Sequence, residues 1–169
     1  MTLLSLSIGS NINPASNIRE ALTLLQAEFV TLSCSAVYES EAVGFDGDNF
    51  MNLVVIANVD KPLAEITQRL KAIEDQLGRN RDQPRFSGRT MDIDILSYGD
   101  ETGADCGLSL PRDEITKNAF VLWPLAEMLP DEVHAPSNKT YGALWAEFDK
   151  TSQKLWPIDF DWPWEATKS

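Results

Sequence analysis

The chain is 169 residues long, 43% apolar and 9% aromatic, with a formal net charge of −12. That length and apolar content support one globular domain with a sizeable core, are marginal for two, and argue against disorder. The negative charge excludes a protein that grips nucleic acid or an anionic membrane through its overall field, so any anion site must be local.

Leu3-Leu4-Ser5-Leu6-Ser7-Ile8 is strand-like and ends at Gly9-Ser10-Asn11. Pro14 starts a helix, where its missing N–H costs nothing, and Ile18, Leu22, Leu25 and Phe29 recur at helical spacing. Val30 to Tyr38 alternates as one half-buried strand, with Leu32, Cys34, Ala36 and Tyr38 on one side. Glu41 to Asn49 reads as a loop, and Phe50 to Val59 as a second β-rich stretch. Pro62 opens another helix, carried by Leu63, Ile66, Leu70, Ile73 and Leu77 and stopped at Gly78. Arg79 to Thr90 is expected to be a long mobile loop, and Met91 to Leu96 a strand. The order β-α-β-β-α-β predicts an α+β, ferredoxin-like fold, with helices on one face of an antiparallel sheet. Helices are also expected over Thr116 to Met128 and Tyr141 to Phe148, followed by an extended tail packed by its own Trp156, Trp162 and Trp164.

Cys34 and Cys106 form neither a disulfide framework nor a zinc pattern, and Cys34 reads as a core residue. Met1-Thr2-Leu3-Leu4 lacks the basic lead and apolar run of a signal peptide, and no apolar run is long enough to span a bilayer. A soluble, cytoplasmic protein is expected.

Asp92-Ile93-Asp94 is the most informative tripeptide. Alternation along a strand puts both carboxylates on one face, about 6–7 Å apart at the backbone. Such a pair repels itself unless a cation lies between, and two Mg²⁺ ions about 3.5–4 Å apart fit that gap. On spacing alone a solvated edge-strand face is the better-supported reading, since D-x-D is common. Arg79, Arg81, Arg85 and Arg89 immediately precede it, and guanidinium groups take phosphate oxygens bidentately. Metal-holding carboxylates beside clustered arginines are what a polyphosphate site requires. Neither G-x-x-x-x-G-K-S/T nor G-x-G-x-x-G occurs. His134, the single histidine, is expected at the surface rather than in a catalytic triad.

Ile8-Gly9-Ser10-Asn11, Asn52, Ile73-Glu74 with Gly78-Arg79, the block Gly88-Arg89-Thr90-Met91-Asp92-Ile93-Asp94-Ile95, and Phe120-Val121-Leu122-Trp123-Pro124-Leu125 resemble the 6-hydroxymethyl-7,8-dihydropterin pyrophosphokinase (HPPK) family. The resemblance runs from the first strand to about Lys150. It implies an αβ domain over 1–150 and a Trp-rich acidic tail over 151–169. It further implies pyrophosphate transfer from ATP to the pterin's hydroxymethyl oxygen, releasing AMP, with two Mg²⁺ ions on Asp92 and Asp94. On the ATP side stand Glu74, Arg79, Arg81, Arg89 and Arg112, with Arg79 and Arg89 catalytic and Arg89 nearest the transferred group. Phe50 and Phe120 would sandwich the pterin, Asn52 would bond its edge, and Ser40 and the Val43 backbone would lie along that edge. Phe86 matches an aromatic on a catalytic loop. The departures fall on the ATP side: Arg112 stands where the family usually has His, Asn118 where it usually has Arg, and Gly107 where many relatives are basic. Asp113 and Glu114 add negative charge there. The implied partners are ATP and a pterin, with no nucleic acid and no membrane, and the protein is expected to be a monomer.

Two alternatives follow from the same residues. One is a divergent pterin-binding paralogue with weak or altered transfer activity, motivated by Asp113 and Glu114. The other, an RNA-binding ferredoxin-like module, needs stacking aromatics on central strands and a basic sheet face, neither of which this chain supplies.

Overall fold

The computed structural model describes residues 2–29, 31–41, 49–79 and 91–163. In chain order the elements are β1 (Thr2–Ser10), α1 (Pro14–Phe29), β2 (Ser33–Cys34), β3 (Val37–Ser40), β4 (Phe50–Val59), α2 (Leu63–Arg79), β5 (Asp92–Tyr98), α3 (Ala119–Met128), β6 (Val133–His134), β7 (Lys139–Thr140), α4 (Tyr141–Glu147) and β8 (Leu155–Ile158). All pairings in the main sheet are antiparallel, in the order β5-β1-β4-β3-β8, with β2 also on β4. The first five strands and two helices form the expected ferredoxin-like arrangement. β8, from the stretch read as an extended tail, adds an edge beside β3.

Strand alternation sorts the side chains into two layers. Leu4, Leu6 and Ile8 of β1, Leu53, Val55 and Ala57 of β4, and Ile93 and Ile95 of β5 pack against the apolar faces of α1 and α2. On the opposite face Val54, Ile56 and Leu96 are covered by Val121, Leu122 and Leu125 of α3. α3 covers only part of that face, and the uncovered part holds the cavity described below.

The single strand expected over Val30 to Tyr38 is two short strands, because Ser35 interrupts the ladder. Its Oγ accepts the Val54 N–H at 3.0 Å and donates to the Ala36 carbonyl at 2.8 Å, so a side chain takes over a backbone position. The alternation slips there: Leu32, Cys34 and Val37 meet the α1–α2 core, while Tyr38 turns to the α3 side, 4.7 Å from the Trp123 ring centroid. The Tyr38 hydroxyl donates to Glu127 Oε1 at 2.6 Å; burial, then that carboxylate, pushes its pKa well above the usual tyrosine value. Cys34 is half-buried at the margin of the core rather than within it.

The helix expected from Thr116 starts at Ala119, after a 3₁₀ turn over Asp113–Thr116, because Asn118 is extended (φ −115°, ψ 122°). Pro124 stays inside α3, leaving the Phe120 carbonyl without its usual helical donor. His134 is buried, not a surface residue, at 6% exposure. The β6–β7 hairpin folds it against Tyr141, and its Nδ1 lies 2.9 Å from Ser137 Oγ; burial lowers its pKa. In the C-terminal stretch Trp162 packs edge-on against Phe160 and the main core, whereas Trp156 remains 38% exposed.

Candidate active site

Antiparallel register lines up residues that the sequence separates widely. Gly9 of β1 lies opposite Asp92 of β5 on one side and Asn52 of β4 on the other, and Asn52 lies opposite Tyr38. One step along, Ser7 lies between Asp94 and Val54. Directly opposed residues share a face, so Asp92, Gly9, Asn52, Asp94 and Ser7 all project away from α1 and α2. There they line a cavity of ≈ 660 Å³ together with Ser40, Phe50 and Phe120. Six of the residues expected in the site (Ser40, Phe50, Asn52, Phe120, Asp92, Asp94) are therefore brought to one place from β3, β4, β5 and α3.

β5 is an edge strand, so alternate N–H groups point away from the sheet. The Ile93 N–H, between the two aspartates, donates to Glu74 Oε2 on α2 at 2.7 Å. Glu74 thus braces the carboxylate strand and is not among the residues lining the cavity. Burial raises the Glu74 pKa most; the Ile93 N–H opposes this, and Asp92 and Asp94 add to the rise. A carboxyl whose pKa is higher in the fold stabilises at acid pH and loses that contribution as pH rises through the folded value. Glu74→Gln keeps an acceptor for Ile93 and removes a charge beside two others. The metal-free variant is expected to melt above wild type at neutral pH, with the gap closing below the ordinary glutamate value of 4.5. Thermal melts at both pH values check this, and equal melting at neutral pH would contradict it.

Arg112 follows a cis Leu110–Pro111 bond and is anchored beside β5 by its N–H to the Leu96 carbonyl at 2.9 Å. Its Nε and Nη2 both donate to Glu114 Oε1, at 3.2 and 2.9 Å. Burial works to lower its pKa, but the Glu114 bond and the Asp94 and Asp92 charges outweigh it and hold the guanidinium above its ordinary value. The Asp113 carboxylate pairs with Lys117, away from the cavity. Asn118 lines the cavity, whereas Gly107, exposed and left-handed at φ +76°, does not.

The residues that the resemblance assigns to the pterin divide between the sheet and α3. Asn52 is buried and its Nδ2 lies 3.4 Å from Ser40 Oγ, so the two polar groups the resemblance assigns to one ligand edge adjoin each other. Phe50 opens β4 and Phe120 lies in the first turn of α3, and both rings line the cavity. Residues absent from the sequence-based set complete the lining: Ser7, Glu41, Glu114 and the run Thr151 to Leu155. Register identifies Ser7, which lies two residues before Gly9 and shares its face; Glu114 is one of the acidic departures on the ATP side, and no sequence signal marks Glu41 or the run 151–155. Val43, Arg81, Arg85, Phe86 and Arg89, with the rest of the expected arginine loop, lie outside the described residues, as does the side chain of Arg79.

The family model for 7,8-dihydro-6-hydroxymethylpterin-pyrophosphokinase (HPPK) matches residues 5–130. The chain is 34% identical over 154 residues to the 2-amino-4-hydroxy-6-hydroxymethyldihydropteridine pyrophosphokinase of Synechocystis sp., covering 89% of this chain and 77% of that one. It is 33% identical over 136 residues to the protein of the same name from Aquifex aeolicus, covering 79% and 84%. The Bacillus subtilis protein of that name is 31% identical over 156 residues, covering 89% and 88%. Among solved structures, an HPPK-DHPS in complex with substrates superposes with a TM-score of 0.63 at 14% identity, over 89% of this chain and 44% of that one. Wild-type Plasmodium falciparum HPPK-DHPS gives 0.61 at 16% identity, over 86% and 44%. These structural likenesses establish the fold, and this chain spans under half the length of those longer chains.

Proposed function

The chain belongs to the 7,8-dihydro-6-hydroxymethylpterin-pyrophosphokinase family, and from that premise we propose that its cavity carries out the family's pyrophosphoryl transfer in folate biosynthesis. The hydroxymethyl oxygen of 6-hydroxymethyl-7,8-dihydropterin attacks the β-phosphorus of ATP. The bond from that phosphorus to the α–β bridging oxygen breaks, AMP leaves, and the hydroxyl proton is released. One observation carries the reading: a single cavity is lined by two carboxylates at one end and by an aromatic pair with a buried carboxamide. A planar, hydrogen-bonding heterocycle and a metal-bound polyphosphate need those two surfaces side by side.

The residues present fit Mg²⁺. Asp92 and Asp94 share the cavity face of β5, and their field raises the pKa of both Glu74 and Arg112. Among the described residues no group of three or more His, Cys, Asp or Glu could hold a metal. Two carboxylates, with the remaining positions left to water and substrate phosphates, suit Mg²⁺ better than zinc or calcium. Two ions on this pair form part of the proposal. When bound they neutralise phosphate charge and orient it.

In this reading Phe50 and Phe120 bind the pterin between their rings, and Asn52 and Ser40 supply polar partners for its edge. The Val43 backbone belongs to the same edge. Arg79, Arg81 and Arg89 take the ATP phosphates, with Arg89 on the transferred group. Arg112, held by Glu114 beside the aspartates, contributes positive charge on the ATP side. Phosphoryl-type transfer is mostly positioning and charge neutralisation, so neither a histidine nor a cysteine nucleophile is needed. No described helix is long and apolar enough to cross a membrane. The reading extends to a monomeric, cytoplasmic enzyme whose partners are its two small-molecule substrates. The divergent pterin-binding paralogue with weak or altered transfer activity is not favoured, since relatives named as pyrophosphokinases match most of the chain.

Incubating the purified chain with Mg²⁺, ATP and 6-hydroxymethyl-7,8-dihydropterin is expected to give AMP and the pterin diphosphate in equal amounts. ADP as product, or pterin binding without AMP, would overturn the assignment.

A further inference from the structure

Residues 151–155 lie beyond the span matched by the family model, which ends at residue 130, yet all five line the cavity. They form a strap between α3 and the end of β3, held at three points. At its start the Thr151 N–H and Oγ1 donate to Asp149 Oδ1 at 3.1 and 2.6 Å, and the Ser152 N–H and Oγ donate to the Asp149 carbonyl at 3.1 and 2.7 Å. At its end Leu155 enters β8 opposite Ser40. Between them the Gln153 carboxamide is used on both sides: Oε1 accepts the Ala119 N–H at 2.8 Å, and Nε2 donates to the Lys117 carbonyl at 2.8 Å.

The Ala119 N–H opens α3, and an amide in the first turn of a helix has no partner within the helix. A side chain at the N-cap usually helps satisfy that turn, but Asn118 makes no such bond. Gln153, 34 residues further along, supplies an acceptor instead. The next residue after Ala119 is Phe120. The strap therefore ties the helix turn that carries Phe120 to the strand edge that carries Ser40.

The strap is also thin. Thr151, Gln153, Lys154 and Leu155 line a second groove of ≈ 710 Å³ on its other side, formed with Trp123, Trp145, Lys150 and Trp156. With open space on both sides, the wall has little packing to hold it. Its position is set by the polar ties and the strand pairing.

We propose that Gln153 is a positioning residue for pterin recognition: its two hydrogen bonds fix the gap between Phe120 and the Ser40–Asn52 edge, and strap 151–155 is the specificity-determining wall of the pterin end. This rests on the reading that the cavity holds the pterin. ATP is held mainly at the Asp92–Asp94 end, so loss of the tie acts more on the pterin than on ATP, although the two bonds also flank Asn118.

The test uses the whole chain with Gln153→Met, which keeps length and removes both bonds, and Gln153→Glu, which keeps an acceptor for Ala119 and loses the donor to Lys117. Gln153→Met is expected to raise the KM and Kd for the dihydropterin about tenfold, on the scale of two modest hydrogen bonds. The KM for MgATP should stay within about twofold, and kcat should change less than the pterin KM. Gln153→Glu should fall between wild type and Gln153→Met, following the number of bonds kept. It also serves as the readout if the methionine variant fails to fold. Wild-type pterin affinity in both folded variants, or an equal rise in both KM values, would overturn the proposal while leaving the pyrophosphokinase reading intact. A wild-type chain that binds no dihydropterin would overturn both.

Discussion

Asp94→Ala is expected to abolish Mg²⁺-dependent AMP formation, a loss of about a thousandfold or more, while pterin affinity changes little. Asp94 lies opposite Ser7 on the cavity face of β5, one alternate position from Asp92. With two protein carboxylates as the metal-binding set, removing one halves it, and the triphosphate loses both its charge partner and its alignment. The proposed pterin residues Asn52, Ser40, Phe50 and Phe120 come from other elements and are untouched. The effect on stability separates this role from a structural one. Asp92, Asp94 and Glu74 are like charges close enough that the first two raise the pKa of the third. Deleting Asp94 relieves that repulsion but also removes its attraction for the Arg112 guanidinium, so the two effects oppose each other and the melting temperature should move little. Asp94→Asn should behave alike, because it keeps the shape and loses only the charge. Single-turnover AMP release, calorimetric pterin titration and thermal melts check the three parts. Wild-type turnover in either variant would refute the metal assignment.

The two ends of this site differ in how legible they are in the sequence, and the reason is range. The carboxylate pair is local: alternation alone puts Asp92 and Asp94 on one face, and their register against Gly9 and Ser7 keeps them there. The β-α-β-β-α-β order is local as well, since each element shows its own periodicity. The proposed pterin end is assembled from residues as far apart as Ser40 and Phe120, eighty positions along the chain. Phe50 and Phe120 were legible only through a family resemblance, because no spacing rule brings the start of β4 to the first turn of α3. The strap carries no signal of either kind. Its Gln153 reads as an ordinary polar residue until α3 is placed beside it. Short-range rules failed where a side chain replaced the backbone. Ser35 takes a ladder bond and shifts the alternation by one, so Tyr38 faces α3 rather than the side predicted for it. His134 escapes sequence reading for a related reason: a hairpin of two-residue strands is too short to show a period, and the tertiary packing that includes Tyr141 is what buries it.

Gly9→Ala is expected to cost about ten- to a hundredfold in pterin affinity while leaving the fold and MgATP affinity nearly unchanged. Gly9 sits in the middle of the row that runs from Asp92 to Asn52. Alanine suits extended backbone, and reducing the freedom of the unfolded chain favours it slightly. The cost lies in the space. A Cβ on Gly9 would stand 2.5 Å from Asn52 Oδ1, closer than real contacts allow. The backbone neighbour is further away, with the Met51 carbonyl oxygen at 3.8 Å, so the Asn52 carboxamide is what yields. It is buried beside Ser40 Oγ at 3.4 Å, and swinging it aside removes the polar group that faces the ligand edge. A site built to hydrogen-bond its ligand loses strongly when that partner is withdrawn, here about 1.4–2.7 kcal/mol for the stated range. A double-mutant cycle tests the route. If Gly9→Ala acts by displacing Asn52, its effect should nearly vanish in an Asn52→Ala background, where the added methyl meets no carboxamide. Additive losses would mean that Gly9 serves the site by another path, such as room for the substrate beside Asp92.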